Sequence, residues 1–71
     1  MTIQADVEYA AMTLKHAADT RKALNMPPRQ GLMHPSFVVG ERAVIVDVPW
    51  SLIQEKTETE IVTYIMGKLG S

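Results

Sequence analysis

Pro27, Pro28 and Pro35 fall within nine residues of one another, and they separate two hydropathy patterns. A proline lacks the amide that a helix interior needs, and its ring meets the carbonyl four residues back, so no regular helix crosses 27–28. Before this point apolar or small residues recur as Ile3, Val7, Ala10, Leu14, Ala17 and Leu24, alternately four and three apart, with only Arg21 interrupting. That spacing predicts an amphipathic helix ending near Leu24. Thr2 is the expected N-cap. Asp6 and Glu8 complement the positive end of the helix dipole, and Arg21 and Lys22 its negative end. Asn25 tolerates the left-handed conformation that closes a helix. Ala10 and Ala17 leave room for another backbone to approach, and Tyr9, Ala11 and Met12 widen the apolar surface, so the helix is expected to meet two neighbours.

After the prolines the pattern changes. Residues 26–35 read as a long loop with Gly31 as its permissive turn, and the bonds to proline bias Met26, Pro27 and His34 toward extended backbone. Met26, Leu32 and Met33 are expected to lie over the end of the core. "FVVGERAVIVDVP" then predicts a β-hairpin, turning either on Gly40-Glu41 or through a longer turn that reaches Arg42. With the two-residue turn, Val39 faces Arg42, Val38 faces Ala43 and Phe37 faces Val44. One face then carries Phe37, Val39, Val44, Val46 and Val48, and the other Val38, Ala43 and Ile45, ending at Asp47. Ala43 to Val46 is apolar throughout, where a half-exposed strand would alternate, so the second face is expected to be covered.

Pro49 ends the second strand. Ser51 with Gln54, and Thr57 with Glu60, each fit the capping box, in which a hydroxyl and a side-chain acceptor satisfy the first free amides of a helix. The wholly polar stretch 54–60 favours a short turn anchored by Trp50, Leu52 and Ile53, then a helix from about Thr57 that buries Ile61, Val62, Ile65 and Leu69. The expected fold is a single small α+β domain over 1–71, in the order helix, long loop, two-stranded hairpin, helix (α-β-β-α). That order is similar to the one in small phage head-to-tail joining proteins, a likeness of element order with no shared motif, and fold does not carry function.

A chain of 71 residues buries only about 60% of its unfolded surface, so a core this small usually needs a supplement. The sequence has no cysteine and two histidines, which removes disulfides and thiol chemistry and leaves too few ligands for a usual structural zinc. Self-association is the remaining supplement, and a homodimer is expected. Its candidate interface residues are Tyr9 and Met12 on the first helix, and Val38, Ala43 and Ile45 on the second hairpin face. The chain carries neither a leader pattern nor an apolar run long enough to cross a membrane, so a cytoplasmic location is expected. A net charge of -1 gives no electrostatic reason to expect non-specific nucleic-acid or membrane binding.

The charge is uneven along the chain. Residues 15–42 hold Lys15, Arg21, Lys22, Arg29 and Arg42 against Asp19 and Glu41. Arg21, Lys22, Arg29 and His34 are therefore candidates for holding an anionic ligand across 21–34, since guanidinium groups grip phosphate and carboxylate well. His16 and Asp19 share a helix face without a third ligand, and no P-loop, dinucleotide glycine motif, HExxH or GxSxG is present. The sequence calls for no cofactor and no catalytic residue. Its leading expectation is a small non-enzymatic interaction protein, a homo-oligomer that binds or inhibits another protein through the hairpin or the first helix. The alternative is a binder of a small anionic metabolite or nucleotide.

Overall fold

A computed structural model describes residues 3–70, so the Thr2 N-cap lies outside the described residues. Helix α1 spans Ile3–Ala23, and its last turn closes as expected. Asn25 is left-handed at φ 55°. Met26 N donates to Arg21 O at 3.0 Å and Asn25 N to Lys22 O at 3.1 Å, the paired bonds of a Schellman cap.

Strands β1 (Leu32–Met33), β2 (Ser36–Val39), β3 (Arg42–Ile45) and β4 (Val48–Pro49) follow, then α2 (Trp50–Glu55) and α3 (Glu58–Leu69). The hairpin forms on the two-residue turn, with Val39↔Arg42, Val38↔Ala43 and Phe37↔Val44 in register. Gly40 takes φ 65° at the first turn position, where glycine has no steric cost.

The antiparallel ribbon also runs further than the hairpin motif indicated, into the expected loop. β1 pairs with β4 as Leu32↔Pro49 and Met33↔Val48, which continues the β2–β3 register without a slip. Val46 N donates to Pro35 O and Trp50 N to Gly31 O, each at 3.0 Å, so the ribbon reaches from Gly31 to Trp50. It is interrupted at Pro35 because that residue has no N–H to return to Val46.

The polar stretch separates two helices. Thr57 caps α3 in a capping box with Glu60. The Ser51–Gln54 box does not form, because α2 starts at Trp50 immediately after Pro49 and places Ser51 inside the helix.

The core gathers Val7, Ala11, Leu14 and Ala18 of α1, Phe37, Val46, Val48 and Trp50 of the ribbon and its exit, and Ile53, Ile61 and Ile65 of α2 and α3. Helix α1 packs against α3, α2 and β2, one neighbour more than the two expected, and does so without Tyr9 and Met12, which are exposed. Its buried stripe is Val7, Ala11, Leu14, Ala18, which corrects the expectation of Ala10, Ala17 and Leu24: Ala10 is half-buried, Ala17 exposed, and Leu24 66% exposed. Val7 and Leu14 belong to both stripes; at 3.6 residues per turn Ala10 and Ala17 lie about 60° to one side of them and Ala11 and Ala18 about 40° to the other, and packing against the rest of the core takes the second side.

Two of the three loop residues expected to close the core do not. Met33 packs against it, whereas Met26 and Leu32 are exposed. β1 lies in a ribbon whose side chains alternate, so Met33 points inward and Leu32 outward.

Candidate functional site

The same alternation continues along the whole ribbon. Phe37, Val46 and Val48 face the core and are buried. Leu32, His34, Ser36 and Val38 on one strand, with Ala43, Ile45, Asp47 and Pro49 on the other, face away. Val38 is 68% and Ile45 66% exposed, Leu32 is 48% exposed, and Ala43 is exposed. The expectation that this second face is covered is not met within the chain: α1, α2 and α3 all contribute to the one core on the inner side, and the 26–35 segment supplies β1 to the ribbon itself. A β-branched surface of this kind is stable in water only at a cost in hydration, and contiguous exposed apolar surface marks interaction sites. Tyr9 at 69% and Met12 at 47% exposure form a separate apolar feature on α1.

His34 and Asp47 stand in the middle of the outer face. Continuing the register past Ser36↔Ile45 puts them directly opposite each other in a non-hydrogen-bonded pair, where side chains approach most closely. His34 Nδ1 and Asp47 Oδ1 are 2.8 Å apart, with both side chains more than half exposed. This partner was available from the sequence by extending the hairpin register three residues back from the motif, from Phe37 to His34.

The four candidate anion-binding residues do not form one cluster. Arg21 and Lys22 line a groove of about 450 Å³ between the end of α1, the Asn25–Pro28 turn and Gln54, together with Lys15 and Asp19. Arg29 lies instead over Trp50, its guanidinium carbon 5.2 Å from the ring centroid, and His34 is on the outer ribbon face with Asp47.

Within the groove the cations also hold the fold together. Arg21 Nη2 donates to Pro27 O at 2.9 Å, which pins the turn, while its Nε is buried without a hydrogen-bond partner. Lys15 Nζ donates to Ile53 O at 3.2 Å and Gln54 O at 3.4 Å, satisfying carbonyls at the end of α2, and lies 4.0 Å from Asp19. Gln54 binds the Arg29 backbone from both sides: Arg29 N donates to Gln54 Oε1 at 2.8 Å, and Gln54 Nε2 donates to Arg29 O at 3.2 Å. Lys15 and Gln54 were absent from the sequence-based site, and no spacing signal announces contacts across 38 or 25 positions.

Among the described residues no group of three or more His, Cys, Asp or Glu side chains could hold a metal ion, and no helix is long and apolar enough to cross a membrane. Comparison with protein-family models, curated proteins and solved structures finds no match to the chain.

Proposed function

We propose that this is a small non-enzymatic interaction protein of the cytoplasm, one that self-associates through its hairpin and binds or inhibits another protein through the same surface or through the Tyr9–Met12 patch. The observation that carries the reading is the uncovered outer face of the ribbon, with Val38 and Ile45 both about two-thirds exposed. The shape of the molecule supports it. The chain measures 41 × 21 × 15 Å and exposes 5095 Å², where a monomer of 7.9 kDa is expected to expose about 4400 Å².

Sedimentation at micromolar concentration tests the reading, with Met12→Lys as a helix-surface control. A homodimer that survives Met12→Lys is expected. A well-folded monomer, or a dimer that Met12→Lys alone dissociates, would remove the hairpin from the proposal.

The groove beside Arg21 supports a second reading, a small anionic ligand. Its volume lies within the range of ligand pockets, and Lys15, Arg21 and Lys22 outweigh Asp19 in charge. A thermal-shift series with inorganic phosphate and nucleotides is its test, and no shift at millimolar ligand would discard it.

A further inference from the structure

The ribbon has two open sides, and its hydrogen bonds make them unequal. The bonds Trp50 N to Gly31 O and Val46 N to Pro35 O, together with the Val39↔Arg42 closing pair, place the odd-numbered residues 31–39 in the hydrogen-bonded positions. Their amides and carbonyls turn toward the opposite strand. Those of Leu32, His34, Ser36 and Val38 therefore turn outward, as do those of Ala43, Ile45, Asp47 and Pro49 across the ribbon.

The edge of the second strand is protected. Pro49 has no amide to offer there, and Asp47 O accepts a hydrogen bond from the Tyr64 hydroxyl at 3.4 Å. Tyr64 and Lys68 of α3 also wall a cleft of about 300 Å³ along Val44–Asp47.

The first edge has none of these devices. Pro35 occupies an inward position, so its missing amide is lost inside the ladder, and all four outward residues from Leu32 to Val38 keep both donor and acceptor. Residues 30–40 contain no Lys, Arg, Asp or Glu, and no third strand lies beside this one among the described residues. Long, uncharged edges are the ones that pair with another chain.

We propose that the Leu32–Val38 edge pairs antiparallel with the same edge of a second copy across a two-fold axis at Pro35, joining two ribbons into a four-stranded sheet. The proposal rests on the self-association argued above but places the contact at the hairpin's edge, which leaves the outer-face side chain of Ile45 exposed for another protein. A second copy fits because the segment holds no Lys, Arg, Asp or Glu, so no permanently charged side chains meet when it faces itself. Centring on Pro35 also uses every outward group: Leu32 lies opposite the partner's Val38, and His34 opposite the partner's Ser36. With their symmetry mates these pairs form about eight hydrogen bonds, and apolar meets apolar at both ends of the ladder.

Two variants and one measurement on the unmodified chain test this. Ser36→Pro removes a donor that only the outer edge uses, at a position preceded by extended backbone. Ile45→Lys instead charges the outer face on the far strand. Wild type and Ile45→Lys are expected to sediment as dimers and Ser36→Pro as a folded monomer. In wild type, amide exchange at His34, Ser36 and Val38 is expected to slow by about tenfold or more as concentration rises through the dissociation range. If wild type is a monomer at every concentration, both this pairing and the association beneath it fall. A dimer that Ile45→Lys dissociates, with those three amides exchanging fast, would keep the association and overturn the edge. Should Ser36→Pro fail to fold, the exchange data on the unmodified chain decide alone.

Discussion

Trp50 links the end of the ribbon to α2 and is 4% exposed, so Trp50→Ala should come close to unfolding the protein. A buried aromatic removes about 150–250 Å² from water, worth about 4–6 kcal/mol at 25 cal/mol/Å². Residual burial in the unfolded chain lowers that by about 10–40%. The result, about 3–5 kcal/mol, agrees with the usual cost of truncating a core aromatic. A domain of 71 residues has a total stability of about 4–11 kcal/mol, so one substitution takes about a quarter of it or more. Urea unfolding followed by circular dichroism is the suitable assay, because the substitution removes the only tryptophan. With a slope near 1 kcal/mol/M the midpoint should fall by about 3 M or more. A variant that loses less than about 1.5 kcal/mol, or wild-type fluorescence at the emission of exposed indole, would refute the assignment of Trp50 as a core anchor.

Arg29→Ala should cost about 0.5–1 kcal/mol, the range of an exposed cation–π contact, measured as a shift in urea midpoint; a loss above 2 kcal/mol would mean that the side chain does more than cover Trp50. Thr57→Ala should destabilise by about 1 kcal/mol through loss of the cap, seen as a lower Tm, with no loss if solvent satisfies the Glu60 amide equally well. Glu60 supplies a pH dependence. Hydrogen bonds from the Thr57 backbone, then from its hydroxyl, and the nearby Lys56 charge hold the carboxyl below its usual value of 4.5, with desolvation opposing. A lowered folded-state pKa gives stability that is present above 4.5 and is lost as pH falls through the folded value. Glu60→Gln, which keeps the capping box, should therefore flatten the acid limb of a Tm-versus-pH curve, and an unchanged limb would remove Glu60 from that role.

Short-range features were legible in the sequence because backbone sterics and bonds within a few residues decide them. Asn25 closing α1, Gly40 setting the hairpin register, and Thr57 with Glu60 starting α3 each depend on a dihedral preference or a neighbouring donor, and the structure has all three. So does the separation of α2 from α3, since a polar run offers no apolar face to bury. What the tertiary structure decided is which of several acceptable local choices packs. Ala11 and Ala18 replaced Ala10 and Ala17 because helix pitch and the position of α3 select the buried face, and apolar spacing alone leaves an error of one residue. Arg29 and Gln54, 25 residues apart, meet only because α2 folds back beside the end of α1, and the Arg29 guanidinium then lies over Trp50. His34 lies between these cases. Its partner Asp47 follows from the hairpin register, but that register passes Pro35 only because Met33, Val46 and Val48 have a core to pack against.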